Sequence, residues 1–281
     1  MRLFLLVALT MSAFAANSVL NRMALVDGAI DPGLFGTVRL WSGALMLAVL
    51  CFVTKGGLRL GGPRRAIGVG ALLLYIYGFS GAYLVLDAGL GALILFGCVQ
   101  VTMFGGGLIG GERPPARRWV GAGLAFAGLV WLLWPGAGVE VSLPHGLAMA
   151  AAGLGWGIYS LAGRGQGNPL MSTAANFCLA APVGILIGLL LPGTGAMSLA
   201  GLALAVLSGA VTSGLGYALW YTVLPRLAPS VAAVAQLTVP PIAILGGALL
   251  LGEAPSAAFL AACGIVLGGV ALSVLPLGRA R

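Results

Sequence analysis

The sequence carries very little charge. Charged residues make up 7% of its 281 residues and hydrophobic residues make up 60%, with a mean hydropathy of +1.10. A soluble globular domain carries about 25% charged residues. A chain with so few charges cannot cover its own surface for water, so its solvent is a lipid bilayer. The composition therefore excludes a soluble protein and predicts an integral membrane protein.

Residues that bind metals or perform acid–base and redox chemistry are also scarce. His145 is the single histidine, and no Asp, Glu or His lies in the middle of an apolar run. The cysteines form no C-x-x-C pair and lie inside apolar runs, as small core residues do. They are Cys51, Cys98, Cys178 and Cys263. We therefore expect no metal site, no cofactor and no enzyme activity, since no catalytic set of side chains converges at one depth.

Long apolar runs fill most of the chain. Each is about 20 residues long, enough for a helix to cross about 30 Å of hydrocarbon. The sequence therefore predicts an all-α, polytopic membrane protein of ten transmembrane helices. The first run also fits a signal peptide, but it continues through Val19 and Leu20, so we predict it to be the first helix. The predicted helices are 3–24, 33–54, 66–86, 89–110, 117–135, 146–164, 169–191, 200–224, 228–251 and 256–276.

The basic residues are unevenly distributed between the predicted connections. The formal net charge is +8, but the bases lie in short loops between apolar runs, which argues against nucleic acid as a partner. In a ten-helix arrangement, every basic residue except Arg22 and Arg39 falls on one side of the bilayer. The positive-inside rule makes this side the cytoplasm and predicts an inner-membrane protein with both termini cytoplasmic. The bases on this side are Arg2, Lys55, Arg59, Arg64, Arg65, Arg113, Arg117, Arg118, Arg164, Arg226, Arg279 and Arg281.

Two stretches of the chain are similar to each other. Residues 78–112 and 216–253 both begin with Gly, both carry a Tyr at the same spacing (Tyr83 and Tyr221), and both close on Gly-Glu (Glu112 and Glu253). This predicts two five-helix repeats, 1–137 and 138–281. Because five is odd, the second repeat enters the membrane from the opposite side. Such inverted repeats are typical of secondary transporters, whose substrate site lies between the repeats near the midplane.

These endings, with SGLGYALWY at 213–221, GLGWGIYS at 153–160 and PIAILGGALLLGE at 241–253, resemble the drug/metabolite transporter superfamily in its ten-helix EamA-type branch. In size and organisation the chain resembles most the YddG-type aromatic amino acid exporters of that branch. The resemblance implies a basket of helices around a central cavity. It also implies the export of amino acids and other metabolites.

Polar and aromatic side chains inside the apolar runs are the candidate binding residues, because a polar group at membrane depth is costly unless it has a partner or faces a cavity. The asparagines lie four residues apart on one helix face and either bond between helices or face the cavity. The aromatic residues either pack or form cavity walls that stack on a substrate. The predicted substrate-binding residues are Asn17, Asn21, Arg39, Tyr75, Tyr77, Gln100, Trp156, Tyr159, Tyr217 and Gln236.

Arg39 and three prolines each have two interpretations. Arg39, near the outer end of the second predicted helix, either snorkels to the interface or attracts a substrate carboxylate. Arg22 is closer to the interface and is predicted to be a loop residue. Pro182, Pro240 and Pro241 lie inside predicted helices and are either static kinks or hinges for alternating access.

The sequence therefore predicts a secondary transporter that exports small metabolites, above all amino acids including aromatic ones, by alternating access. Its partners would be a small-molecule substrate and the bilayer, and the chain is expected to be a monomer. The absence of a mid-helix carboxylate favours a facilitator over proton coupling. Efflux of cationic drugs is the alternative within transport, and a non-transport membrane scaffold, which would be a tightly filled bundle, is the alternative from another class.

Overall fold

The structure, a computed structural model, describes residues 2–134, 141–163, 167–191, 193–223, 226–227 and 235–274. Within these ranges the chain is helical and contains no β-strand; one isolated antiparallel bridge joins Ile30 to Met197. The all-α prediction is confirmed for this part of the chain. Arg164, Arg279 and Arg281, which entered the prediction of orientation, lie outside the described residues.

The helices follow one another along the chain through short connections. Local sequence explains where several of the helices begin. Pro32 and Pro169 occupy first-turn positions, where a missing N–H costs nothing. The side chain of Asn168 also accepts a hydrogen bond from the Met171 N–H at 3.2 Å and caps its helix. The helices are α1 (Arg2–Val26), α2 (Pro32–Lys55), α3 (Arg65–Ala82), α4 (Ala88–Ile109), α5 (Ala116–Leu133), α6 (Leu143–Gly163), α7 (Pro169–Leu190), α8 (Leu199–Val223), α9 (Val239–Leu251) and α10 (Ala257–Val274).

Seven of these helices are long and apolar enough to cross a membrane, namely α1–α4 and α6–α8. They establish a polytopic membrane protein. Helices α9 and α10 are apolar but shorter, and α5, which begins with two arginines, is not among the seven. Ten membrane-spanning helices in two inverted repeats therefore stay a prediction.

Two of the three predicted hinge prolines do not lie where the sequence predicted them. Pro182 is inside α7, as predicted. Pro240 and Pro241, however, lie in the first turn of α9, because this helix begins at Val239 and a turn at Leu237–Thr238 precedes it. Proline in a first turn removes no helical hydrogen bond. Their placement in the interior of a longer helix was wrong, and a hinge in this region would lie at the turn before them.

The connections meet at two ends of the bundle. At one, which we call the Glu253 end, the α1–α2 and α7–α8 connections are joined by a hydrogen bond from the Ser198 N–H to the Ala29 carbonyl oxygen at 2.7 Å. At the other, the Lys55 end, Arg65 at the start of α3 donates to the Asn176 Oδ1 of α7 at 2.7 Å. Both ends are thus tied across helices that are distant in sequence.

The middle of α8 departs from α-helical geometry. Residues Leu207–Leu215 are π-helical, a conformation that is rare and frequent at functional sites. Gly209 in this segment lies so close to α2 that an added Cβ would meet the Arg39 carbonyl oxygen. The close approach depends on a residue without a side chain, and it places the buried hydroxyls of α8 beside α2.

Candidate functional site

Arg39 is a fully buried cation between α2, α3 and α8, with 0% of its surface exposed. Its Nε donates to the Ser213 Oγ at 3.0 Å and its Nη2 donates to the Tyr75 hydroxyl at 2.8 Å. Its Cζ lies 5.0 Å from the centroid of the Tyr75 ring and 5.1 Å from that of Phe79, both within cation–π range. A snorkelling arginine would reach water, so the interfacial interpretation of Arg39 was wrong.

Asn17 connects α1 to this arginine through Tyr75. Its Nδ2 donates to the Tyr75 hydroxyl at 3.2 Å, and its Oδ1 accepts from Ser208 Oγ at 2.6 Å and Thr212 Oγ1 at 3.0 Å. The two donors lie four residues apart in the π-helical segment of α8 and face α1 together. This network holds α1, α3 and α8 in one arrangement.

Asn21 extends the same network by one helical turn. Its Nδ2 donates to Ser208 Oγ at 3.3 Å and its Oδ1 accepts from Ser80 Oγ at 3.3 Å. Asn21 and Ser80 are both fully buried. Both asparagines therefore bond between helices, and Asn17 also reaches the cavity.

Aromatic side chains close the space beside the network. Trp156 of α6 packs against Tyr75 at 5.0 Å and Tyr217 at 4.9 Å between ring centroids, and it stacks on Tyr159 at 5.5 Å. They leave a cavity of about 20 Å³, room for a single water-sized molecule. The cavity is lined by Phe14, Asn17, Ser18, Tyr75, Phe79, Leu95, Phe96, Trp156 and Tyr217.

Three buried polar atoms around this cavity have no hydrogen-bond partner within the described residues. They are the Nη1 of Arg39, the Oγ of Ser18 and the hydroxyl of Tyr217. Buried polar groups are normally paired, so each unpaired one calls for an explanation. Ser18 and Tyr217 line the cavity, while the Arg39 guanidinium lies against Tyr75 and Phe79, two other lining residues.

No described carboxylate neutralises Arg39. Asp27 is exposed, Asp31 accepts from the Gly195 N–H and from Thr194, and Asp87 and Glu253 pair with Arg22. Glu112 pairs with Arg118, and Glu140, the sixth acidic residue of the sequence, lies outside the described residues. Within the described ranges, no three His, Cys, Asp or Glu side chains lie together as a metal site would require.

The structure brings only part of the predicted binding set together. Tyr159 stands behind Trp156 and donates its hydroxyl to Thr173 Oγ1 at 3.1 Å. Tyr77 instead bonds Thr37 at 2.9 Å and the Gly184 carbonyl oxygen at 2.6 Å, between α2 and α7. Neither Gln100 nor Gln236 lines the cavity, and both are partly exposed. The residues that meet at the centre are Asn17, Arg39, Tyr75, Trp156 and Tyr217.

Several residues of the site were missed in the sequence. Ser208 and Thr212 form a pair four residues apart, the same pattern that identified the two asparagines, and this signal was present. Ser213 follows directly but points to Arg39 because of the π-helical segment. Phe79, which covers Arg39, looks like any core residue in the sequence.

A second charged cluster lies at the Glu253 end, and it shows that the prediction of Arg22 as a loop residue was wrong. Arg22 belongs to α1, not to a loop, and its Nε lies 3.2 Å from Glu253 Oε1. It also donates to the carbonyl oxygens of Tyr83 and Leu84, while Glu253 Oε2 accepts from the Ala88 N–H at 2.8 Å. Burial raises the pKa of the Glu253 carboxyl, and the Ala88 N–H and Arg22 only partly offset this. This cluster joins α1, the α3–α4 connection and the end of α9.

Comparison with known proteins identifies the kind of molecule that carries this site. Residues 145–275 match the model of the EamA-like transporter family. Over 282 aligned residues the chain is 49% identical to "Uncharacterized protein PA1977" of Pseudomonas aeruginosa, across 99% of this chain and 97% of that protein. The second half of the chain therefore matches an EamA-like transporter domain. This domain supports a membrane transporter of small molecules within the drug/metabolite transporter superfamily.

The fold of the chain also has a solved counterpart. A protein of known crystal structure superposes with a TM-score of 0.70 over 100% of this chain and 99% of its own, at 22% sequence identity. At this identity the likeness concerns the fold alone. The cavity between α1, α3, α4, α6 and α8 is the candidate place for cargo, because transporters bind cargo inside the bundle.

Proposed function

We propose that this EamA-like transporter exports small carboxylate-bearing metabolites, with amino acids including aromatic ones as the principal cargo. It would work across the inner membrane, as a monomer with cytoplasmic termini, by alternating access between two inverted five-helix repeats. The proposal is for a transporter and not for an enzyme. One observation carries it: Arg39 is fully buried, lacks a carboxylate partner and a partner for its Nη1 among the described residues, and lies against Tyr75 and Phe79, which line an aromatic cavity.

A buried, unpaired charge is expensive. The effective penalty for an ion in a protein interior is several kcal/mol, and polar groups inside membranes are costly unless they serve a function. A guanidinium matches a carboxylate in shape, charge and donor geometry. Cargo with a carboxylate would therefore complete the site that Arg39 leaves open.

The surrounding rings favour an aromatic cargo. Phe14, Trp156 and Tyr217 pack edge-to-face or tilted at centroid distances between 4.9 and 6.3 Å. Such contacts are individually weak, about 0.5–1.5 kcal/mol each, so the ring of a ligand can replace them at little cost. Because the cavity of about 20 Å³ admits no amino acid, we expect the structure to be a closed state that opens for loading.

The closed centre also fits a scaffold, which should be tightly filled. A scaffold has no use for a buried cation without a carboxylate partner, however, because an apolar residue in the place of Arg39 would leave it at least as stable. Efflux of cationic drugs meets the same obstacle, because Arg39 repels a cation from the centre. The buried arginine thus supports carboxylate transport over both alternatives.

The test is uptake by proteoliposomes containing the purified protein. Radiolabelled phenylalanine, leucine and a quaternary-ammonium cation are compared with and without a pH gradient. We expect uptake of the amino acids, phenylalanine fastest, that does not depend on the gradient. Gradient-driven uptake of the cation alone would replace the proposal with drug efflux, and no uptake of any solute above that of empty liposomes would favour the scaffold.

A further inference from the structure

We propose that the Arg39 site selects cargo by net charge, and that an aromatic monocarboxylate of net charge −1 binds more tightly than the matching zwitterionic amino acid. This proposal rests on the proposed function, because it concerns the cargo of the same site. It narrows the cargo class from carboxylate-bearing metabolites in general to those without a compensating ammonium group.

The first reason is the charge balance at the site. Arg39 contributes one positive charge, and no described carboxylate pairs with it, since Asp87 and Glu253 pair with Arg22 at the Glu253 end. A monoanion neutralises Arg39. A zwitterion brings its own cation and leaves the buried site with the same net charge as before, which is unfavourable at low dielectric.

The second reason is a shortage of hydrogen-bond acceptors. An ammonium group has three donors to satisfy. Asn17 Oδ1 already accepts from Ser208 and Thr212, and the Tyr75 oxygen already accepts from Arg39 and Asn17. Among the described residues that line the cavity, the polar side-chain atoms without a hydrogen bond are two hydroxyls, those of Ser18 and Tyr217. Two hydroxyls are too few for an ammonium, whereas hydroxyls and a guanidinium together suit a carboxylate.

The aromatic faces do not make up for this shortage. Tyr75 and Phe79 already lie against the Arg39 guanidinium, so an ammonium on either ring would meet a like charge. Trp156 is stacked on Tyr159 with an interplanar angle of 20°. Two of the lining rings are therefore already engaged by a cation and one face of Trp156 is covered, while the ring edges stay suitable for packing against an aromatic ring.

The experiment compares three ligands with one phenylethyl skeleton: 3-phenylpropionate, an anion; phenylalanine, a zwitterion; and phenethylamine, a cation. Binding to the purified full-length protein in detergent is measured by isothermal titration calorimetry at neutral pH. We expect 3-phenylpropionate to bind at least about tenfold more tightly than phenylalanine, since an unpaired buried group commonly costs that factor, and phenethylamine to bind more weakly than either. In Arg39→Gln the preference for the anion should disappear, while Arg39→Lys should keep the order.

The outcomes separate this proposal from the proposed function. Phenylalanine binding as tightly as 3-phenylpropionate, or more tightly, would overturn the charge selection and leave amino acid export standing. Binding of phenethylamine alone would overturn both. Arg118→Gln, which changes an exposed arginine of the Glu112 pair, is the matched control and should leave all three affinities unchanged. A preference for the anion that persists in Arg39→Gln would show that another group selects the charge.

Discussion

Replacing Arg39 with methionine should separate stability from function. The thioether chain fills much of the volume of the arginine side chain but carries no charge and is adaptable in shape. We expect Arg39→Met to abolish transport of carboxylate cargo and yet leave the protein at least as stable as the wild type. The reason is that the wild-type cation is buried without a carboxylate partner among the described residues.

The magnitude follows from opposing terms. The substitution removes two charge-assisted hydrogen bonds, to Ser213 and Tyr75, worth about 1.5–3 kcal/mol each, and two cation–π contacts worth about 0.5–2 kcal/mol each. It also removes the desolvation penalty of a buried ion, which is several kcal/mol. These opposing terms are of similar size. Apolar replacements of buried ionic groups have often been neutral or stabilising by about 1–4 kcal/mol, and we expect a net change between neutral and about 2 kcal/mol of stabilisation.

The assay is thermal unfolding in detergent without cargo, followed by proteoliposome uptake. A change of 1 kcal/mol corresponds to about 2–4 °C for a chain of this size. Arg22→Met is the contrasting variant, because Arg22 is paired and its loss leaves the Glu253 carboxylate without a cation, at a cost of about 3 kcal/mol. Arg39→Met melting as far below the wild type as Arg22→Met does would refute the reasoning and make Arg39 a structural tie.

Three further predictions concern other parts of the molecule. Tyr217→Phe removes a hydroxyl without a described partner and should leave the melting temperature unchanged or higher while weakening 3-phenylpropionate binding. Tyr159→Phe, which breaks the hydrogen bond to Thr173, should instead lower the free energy of unfolding by about 1 kcal/mol. Gly209→Ala should destabilise the protein by about 1–3 kcal/mol in the same melting assay, because the added Cβ meets the Arg39 carbonyl oxygen. Gly70→Ala is the control and should not destabilise it, because a Cβ at Gly70 meets nothing within 4 Å. The pKa of the Glu253 carboxyl is raised in the folded protein, so the protonated carboxyl favours the folded state. Its contribution to the free energy of unfolding is therefore present below the usual carboxyl pKa of about 4.3 and is lost as the pH rises through the raised value. The melting temperature of Glu253→Gln relative to the wild type should therefore increase across that window and level off at neutral pH; a difference independent of pH would contradict it.

The sequence predicted most helix bounds because hydropathy and length decide them. Helices α2, α4 and α7 begin and end within a residue or two of the predicted runs. It failed where local geometry outweighs hydropathy. The turn at Leu237–Thr238 interrupts an apolar run without any charge, and the π-helical segment of α8 has no signature among its small residues.

The matched Gly-Glu endings show the limit of a repeat as evidence. The sequence gives Glu112 and Glu253 the same place in the two halves. In the structure the side chain of Glu253 is 13% exposed and bonded to Arg22 and the Ala88 N–H, whereas that of Glu112 is 53% exposed and lies 3.6 Å from Arg118. Their surroundings differ because each carboxylate meets residues from other helices, and a one-dimensional match contains nothing about those neighbours.

Arg39 could not be assigned from the sequence for a related reason. Its distance from the start of α2 is compatible with snorkelling, and only the packing of α3 and α8 against it removes that route. The close approach of Gly209 brings α8 near enough for Ser213 to accept from the arginine. The same packing that denies Arg39 water also leaves its Nη1 without a partner. A cation held in this way is more costly in the closed, empty protein than in one whose cargo carries a carboxylate, so binding an anion lowers the free energy of the loaded state by relieving that cost.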